Sequence, residues 1–303
     1  MSEDQSAEVA QCRAIVVSTL PKFLKTKFKR LPGGWDSIAL IGDGWVFKFP
    51  QSDKNRAKLR REAKLLDFLR PRVTMTLPHM ILHEGPMLFS QHAIIPGDDI
   101  EQDQYDALDT RQRDAMAMRL ARFYAELHAL PLPRLHAVGA VPVVPWRRAK
   151  DILERAKPLL PKKHLPLLER TMKAYGRTSI CGDEMIFGYF DGHGWNMAFD
   201  HKTGTLNGLF DFADAGYGPR HRDLSYSNFI SADLTLRIID HYEQMTQRKI
   251  DRELVMLYAT VLRFSELIDD NLENDIALEI IDDWSGTLSK LVKSGVLKQR
   301  DAD

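Results

Sequence analysis

Three polar residues in the second half of the chain have the side chains that phosphoryl transfer requires. Asp191 and Asn196 lie in a glycine-rich loop between two apolar, strand-like runs, and Asp211 follows the next such run. A hairpin formed by these runs would bring the three side chains to the same end. Mg²⁺ accepts carboxylate and amide oxygens beside nucleotide phosphates, and a carboxylate next to a hydroxyl can take its proton. The spacing therefore predicts a site for magnesium and a nucleotide.

A lysine and a glutamate nearer the N-terminus could supply the phosphate-binding half of such a site. Lys48 is the charged residue in the apolar run 45–50, where an unpaired ammonium would be costly. Glu62 lies on the apolar face of a helix predicted over residues 54–69, so its carboxylate also needs a partner. Each of these two residues would supply the opposite charge that the other needs. A strand lysine held by a helix glutamate is what contact with the α- and β-phosphates requires.

The downstream motifs resemble those of the aminoglycoside phosphotransferase family, whose fold is similar to that of protein kinases. Asp191, His193 and Asn196 match the family's Asp-x-His-x-x-Asn, and residues 211–212 match the Asp-Phe of its second motif. Residues 223–224 are similar to its later Asp-Leu. Choline and ethanolamine kinases share much of this core. The resemblance therefore implies a kinase-like enzyme that acts on a small molecule.

The sequence departs from the family's pattern at three positions in these motifs. Tyr189 and Phe190 replace the usual His-Gly, and Ala213 replaces a usual Gly. The first replaced residue supports the loop in the family and does not bind metal. Catalytic activity is therefore still expected.

The resemblance implies a role for each matching residue. Asp191 would be the catalytic base that accepts the proton of the substrate hydroxyl. Asn196 and Asp211 would bind Mg²⁺. His193 and Asp223 would support the loop.

The nucleotide would be ATP or GTP, because backbone groups contact the purine and the side chains do not distinguish the two. The residues predicted to bind it, besides Lys48 and Glu62, are Gly34 and Ser37 near the phosphates and Gln91, Ala93 and Ile94 at the purine. The basic run 54–61 is expected to be a solvated helix face.

The order of strand-like and helical segments predicts an α+β, bilobal, protein-kinase-like fold. Residues 1–93 would form a β-rich N-terminal lobe with one inserted helix, which binds the nucleotide. Residues 94–303 would form a larger, mostly helical lobe for catalysis and substrate binding. Clefts between lobes are common ligand sites.

Composition excludes several other classes of protein. Lys plus Arg and Asp plus Glu both number 42 in 303 residues, which argues against nucleic-acid binding through bulk positive charge. No apolar run approaches the ~18 residues of a membrane span. Cys12 and Cys181 are far apart, so a disulfide framework is not expected and a cytoplasmic location fits.

The acceptor is the least determined part of the prediction. Glu266, Asp269 and Asp270 form an acidic cluster that is either a solvated helix face or an anionic lining for a cationic substrate, and Asp214 is assigned to the same substrate site. An aminoglycoside-like or other amine-bearing alcohol would suit such a lining. Choline, ethanolamine or another metabolite is the alternative acceptor. A nucleotide-binding pseudokinase regulator is the alternative of another class, and monomer and homodimer both remain open.

Overall fold

The computed structural model describes residues 3–31, 37–85, 87–178, 184–269 and 274–298. Its elements up to residue 137 are α1 (Glu3–Thr19), β1 (Lys29–Arg30), β2 (Ser37–Gly42), β3 (Trp45–Pro50), α2 (Asp53–Leu69), β4 (Ile81–His83), β5 (Phe89–Ala93), α3 (Gln102–Asp106), α4 (Thr110–His128) and α5 (Leu132–Ala137). The later elements are α6 (Ala149–Ala156), α7 (Leu165–Arg177), β6 (Met185–Gly188), β7 (Met197–Asp200), β8 (Thr205–Leu209), β9 (Gly216–Pro219), α8 (Arg220–Ser225), α9 (Ala232–Thr246), α10 (Arg252–Leu267) and α11 (Asn274–Lys293).

Spatial contacts divide the chain into two compact units. The first consists of Met1–Asp99, Leu130–Ala140 and Asn196–Asp214, and the second of Ile100–Ala129, Val141–Trp195 and Ala215–Asp303. The first unit thus includes two segments from later in the sequence. The lobe boundary after residue 93 stays a prediction.

The first unit contains an antiparallel sheet in the order β1-β2-β3-β5-β4. Asp43 and Gly44 connect β2 to β3 with φ values of 49° and 79°. Two left-handed residues form the tight turn whose twist matches that of the flanking strands, as expected from Asp-Gly. This turn sets the register in which Ala39 faces Lys48.

The two faces of this sheet have different roles. Leu40, Phe47 and Phe49 pack with Phe89 against α1, whose Val16 is fully buried. Side chains alternate along a strand, so Lys48 lies on the opposite face, together with its cross-strand partners. One face therefore forms the core, and the other is available for a site.

A hairpin of β7 and β8 completes the first unit. Its register pairs Met197 with Leu209, so that Asn196 and Phe210 lie at the same end. Leu209 N–H donates to the carbonyl of Thr76 at 3.1 Å. The hairpin is thereby attached to the segment that follows α2.

The second unit is mainly helical. A capping box at Asp109 and Gln112 begins α4, which packs along α9. The short strands β6 and β9 pair and hold the loop that begins at Tyr189. The mixed composition, with a small antiparallel sheet in one unit and a larger helical unit, confirms the predicted fold class. No helix in the described ranges combines the length and apolar character needed to cross a bilayer.

Gly97, in the linker after β5, lies close to the backbone of β7. Its φ is 134°, and an added Cβ would lie 2.6 Å from the backbone of Ala198 and Phe199. We expect Gly97→Ala to lower the free energy of unfolding by about 2 kcal/mol or more, because strain and overlap add. Gly286→Ala on α11 is the control, since nothing lies near its added methyl. That control should raise stability by up to ~1 kcal/mol, because alanine favours helix more than glycine does. Equal melting temperatures for the two variants would contradict the prediction.

Candidate active site

The Lys48 ammonium lies between two carboxylates of the first unit. Its Nζ is 3.2 Å from Asp211 Oδ1 and 3.7 Å from Glu62 Oε1. The Glu62 side chain is only 3% exposed, whereas that of Asp211 is 41% exposed. Glu62 is therefore the carboxylate that holds the lysine in place, and Asp211 is the one that a ligand can reach.

The ionisation of these groups follows from their mutual contact. Burial lowers the pKa of Lys48, but the charges of Asp211 and Glu62 outweigh burial and hold this pKa above its ordinary value. Burial acts to raise the pKa of Asp211, and Lys48 more than offsets it, so that this pKa is lowered. For Glu62 burial outweighs the attraction of Lys48, and its pKa is raised. Lys48 stays charged at neutral pH, with an ionised Asp211 beside it.

Helix α2 contacts the segment after β8 through three side chains that lie within about one helical turn. Glu62 Oε1 accepts the N–H of Phe212 at 2.9 Å, and Arg61 donates to the carbonyl of Ala213 at 2.9 Å. Lys58 Nζ is 3.0 Å from Asp214 Oδ1. The expectation of a solvated basic face is thus wrong for these two cations, because both reach residues distant in sequence. Asp214, assigned from the sequence to the acceptor, is in the structure the partner of Lys58.

Asn196 and Asp211 lie at the same end of the β7–β8 hairpin. Phe210 N–H donates to the Asn196 carbonyl at 3.1 Å, and Asp211 is the next residue, with φ of 62°. A non-glycine residue in this region is strained and is often found at functional sites. Amide and carboxylate oxygens suit Mg²⁺, which needs only one or two protein ligands beside phosphate and water. The described residues contain no cluster of three or more His, Cys, Asp or Glu side chains that would hold a metal alone.

The predicted purine-contacting segment is the end of β5. In the described sheet β4 pairs with Phe89 to Gln91 only, so His92 and Ala93 extend past it. Ile94 N–H donates to Gly44 O at 2.9 Å, on the β3 side. The Gln91 side chain faces the core side of the sheet, because its cross-strand partner is Phe47, and contacts His83 at 3.1 Å.

Two further candidates near the nucleotide face differ in how far the structure describes them. Ser37 begins β2 opposite Pro50, whereas Gly34 lies outside the described residues. His92 was not singled out from the sequence, yet it is buried on the same face as Lys48. Burial lowers its pKa to about 4, so the ring is neutral at physiological pH. Only the alternation of the strand could have indicated its position.

In the second unit a buried carboxylate fixes the backbone just before Asp191. Asp223, which is completely buried, accepts the N–H of Tyr189 at 3.1 Å and that of Phe190 at 2.5 Å. His128 Nε2 lies 2.8 Å from the same carboxylate, and its Nδ1 contacts the hydroxyl of Tyr242 at 3.0 Å. The loop is thus tied to α8 through Asp223 and, through the contacts of His128, to α4 and α9.

Phe190 occupies the position at which the family has glycine. Its φ is 56°, a conformation that glycine adopts without strain. The ring fits between two glycines. A Cβ at Gly188 would lie 2.6 Å from it, and one at Gly218 2.4 Å from it. The phenylalanine ring therefore occupies the space that side chains at positions 188 and 218 would need.

His193 is buried beside Asp191. Its Nε2 is 3.4 Å from Asp191 Oδ1, and its ring stacks on Trp195. Burial, aided by the charge of Arg263, lowers the pKa of His193 to about 3. The neutral imidazole can therefore orient the Asp191 carboxylate only as a polar contact and not as a cation.

The acidic residues predicted to line the acceptor site are partly neutralised. Asp269 Oδ1 is 2.5 Å from Arg147. Burial raises the pKa of Glu266 to about 7, with Arg263 opposing and Asp269 adding to the rise. Both residues belong to the second unit, and Asp270 lies outside the described residues. The described part of the cluster therefore carries less negative charge than its composition suggests.

A lysine–glutamate pair on a small antiparallel sheet, with a glycine-rich Asp-x-His-x-x-Asn loop and a following Asp-Phe, defines a phosphotransferase with a kinase-like fold. The family model described as the phosphotransferase enzyme family, APH, matches residues 27–256. The chain belongs to this family, whose members transfer a phosphoryl group to an alcohol. A search of curated proteins finds no match.

Solved structures with a similar fold share little sequence with this chain. The GDP complex of wild-type aminoglycoside 2'-phosphotransferase IIIa is 20% identical over 92% of this chain and 99% of its own, with a TM-score of 0.76. The streptomycin–ATP complex of APH(2")-IIa is 20% identical over 91% and 96%, with a TM-score of 0.63. Macrolide 2'-phosphotransferase type I is 16% identical over 93% and 97%, with a TM-score of 0.62. These likenesses confirm the protein-kinase-like fold.

The Asp223 contacts generate a stability prediction. Asp223→Asn replaces one carboxylate oxygen by an NH₂ group that faces hydrogen-bond donors, so we expect the free energy of unfolding to fall by about 2–3 kcal/mol. Asp151→Asn is the matched control, because Asp151 forms an exposed ion pair with Arg148. The control should leave the melting temperature essentially unchanged, because exposed ion pairs contribute little to stability. Thermal melting of both variants measures the difference, and a loss as small as the control's would contradict the anchoring role.

Proposed function

We propose that this protein transfers the γ-phosphoryl group of ATP or GTP to a hydroxyl group of a small, amine-bearing molecule. The observation that carries the proposal is the Lys48 ammonium held between buried Glu62 and reachable Asp211. The fixed cation is suited to binding a nucleotide phosphate, and the accessible carboxylate beside it is suited to binding the metal ion of that nucleotide. Family membership supports the same reaction.

Each group of residues has a part in the proposed reaction. Lys48 would bind the nucleotide phosphates, and Asn196 and Asp211 would hold Mg²⁺. The bound ion would neutralise charge on the phosphates. Asp191 would orient the acceptor hydroxyl and take its proton as the oxygen–phosphorus bond forms and the bond to the leaving nucleoside diphosphate breaks. Most of the rate increase would come from positioning and electrostatics.

The remaining nucleotide contacts would come from two segments of the first unit. Ser37 and Gly34 would lie near the phosphates. The backbone groups of Gln91, Ala93 and Ile94 would contact the purine, and the extension of Ala93 past β4 supports this part. Three similar structures hold GDP and another holds ATP, so both nucleotides belong in the test.

The acceptor is proposed to be cationic. Streptomycin is bound in one similar structure, and kanamycin and gentamicin are bound in two others. Glu266 and Asp269 would contribute negative charge near such a substrate, while Asp214 and Asp270 are further candidates. His193 and Asp223 would act by supporting the Asp191 loop.

A substrate panel tests the function. We expect purified protein with Mg-ATP or Mg-GTP to phosphorylate at least one of kanamycin, gentamicin, streptomycin, a macrolide, choline and ethanolamine, detected as product mass increased by one phosphoryl group. Asp191→Asn should lower kcat by about 10²–10⁴-fold, the usual contribution of a general base, with little change in the KM for nucleotide. Asp106→Asn, at an exposed carboxylate of α3, is the control.

The outcomes of the panel separate the alternatives. Transfer to choline or ethanolamine alone would favour the metabolite kinase. Nucleotide binding without transfer to any acceptor would favour the pseudokinase regulator. Unchanged transfer by Asp191→Asn would show that the catalytic assignment is wrong.

The raised pKa of Glu266 predicts a pH dependence of substrate binding. Because this pKa is about 7, the carboxylate gains its charge as pH rises from 6 to 8. The guanidinium groups of streptomycin stay protonated over this range. We therefore expect the KM for streptomycin to fall about threefold to tenfold between pH 6 and pH 8, an effect of the size of one partly screened charge pair. Glu266→Gln should remove this dependence, and an equally steep pH profile in that variant would exclude Glu266 from the acceptor site.

A further inference from the structure

Trp195 is the exposed tryptophan of the Asp191 loop. Its exposed fraction is 58%, whereas Trp284 is buried and Trp45 and Trp146 are partly buried. A single exposed apolar residue needs no special explanation. What sets Trp195 apart is how firmly its ring is held and what lies behind it.

The indole is stacked on a rigid support. Its ring lies 4.2 Å from that of His193, with an angle of 9° between the planes. His193 is itself wedged against Tyr226, at 5.3 Å and 78°, and against Phe229, at 4.5 Å. One indole face is thus covered by a buried ring, and the high exposure comes from the other face and the edge. A side chain already fixed in this way loses little conformational entropy when it binds a ligand.

The backbone before Trp195 is equally constrained. A Cβ at Gly194 would lie 1.8 Å from the carbonyl oxygen of Ile100, so only glycine fits there. Ile100 N–H also donates to the Gly194 carbonyl at 3.3 Å. The loop therefore presents the indole in one orientation.

The indole lies one ring away from the proposed catalytic carboxylate. The His193 ring, whose face supports the indole, has its Nε2 3.4 Å from Asp191 Oδ1. We propose that the outer face of Trp195 binds the apolar face of a ring-shaped acceptor and so favours ring acceptors, such as sugars, over linear amino alcohols. This inference rests on the proposed function, because it assumes that Asp191 receives the acceptor hydroxyl.

Physical chemistry favours a ring over a linear acceptor at this surface. The indole offers a large flat apolar area, and a saturated ring presents a face of C–H groups that can cover it. A linear amino alcohol covers only a small part of the same area, so it gains less from burial. We therefore expect the indole to contribute about tenfold to the affinity for a ring acceptor.

Kinetics of two substitutions test the inference. Trp195→Ala should raise the KM for the aminoglycoside or macrolide that the wild type phosphorylates by about tenfold, with kcat within about twofold, since the lost contact is made in the ground state and the transition state alike. Trp195→Phe keeps an aromatic face and should stay within about threefold of the wild type in KM. Met118→Ala, at an exposed side chain of α4, is the control. The KM for nucleotide and the melting temperature report whether the fold has been disturbed.

The same measurements separate acceptor binding from mere support of His193. If Trp195 served only to cover His193, Trp195→Ala would lower kcat and leave the acceptor KM unchanged, and that result overturns the inference. A wild type that prefers choline or ethanolamine also overturns it, while leaving the kinase function intact. A wild type that phosphorylates no panel member overturns the proposed function and the inference together. A ring acceptor that changes tryptophan fluorescence in the wild type but much less in Trp195→Phe supports it independently of turnover.

Discussion

The positive charge of Lys48 is the constraint around which the first unit is arranged. An ammonium in an apolar strand is stable only with anionic partners, since removing one partner leaves an uncompensated charge. Glu62 comes from α2 and Asp211 from the end of the β7–β8 hairpin, so a strand, the helix that follows it and a hairpin from later in the chain meet at one nitrogen. Glu62 also accepts the N–H of Phe212, which makes its carboxylate a fixed point of the backbone as well. Because Glu62 is the buried partner of the lysine, the carboxylate oxygens of Asp211 stay accessible to a ligand.

The second unit also contains a buried charged group, which is stabilised by hydrogen bonds from the backbone. Asp223 receives two main-chain N–H groups and the His128 ring, and these fix the direction in which the chain enters the Asp191 loop. Phe190 in one functional loop and Asp211 in the other both have positive φ. Strained residues of this kind persist only where the surroundings determine the backbone strongly. A buried carboxylate fixes the backbone next to each of these residues. Asp223 does so at Phe190, and Glu62 does so at Phe212, the residue after Asp211.

The sequence was informative where a physical problem had a local solution. A lysine in an apolar strand and a glutamate on an apolar helix face predicted their own pairing. The sequence was less informative where the partner comes from a distant segment. Nothing near Lys58 indicates Asp214, and nothing near Asp269 indicates Arg147, because such contacts depend on how the elements pack. The burial of His92 likewise depends on the neighbouring strands.

The Phe190 ring also constrains which substitutions its two neighbouring glycines tolerate. Gly188 and Gly218 cannot acquire a side chain while the ring stands between them, since either Cβ would overlap it. A variant with glycine at position 190, as in the family's usual pattern, would remove this overlap but leave another at Gly188, whose Cβ would also lie 2.4 Å from Asp223 Oδ2. Substitution at Gly218 is therefore contingent on position 190 and on a shift of Val143, whose Cγ2 would lie 2.8 Å from the added Cβ. Gly188, by contrast, stays closed by the carboxylate that anchors the loop, so a library that varies the three positions together would still return glycine at 188.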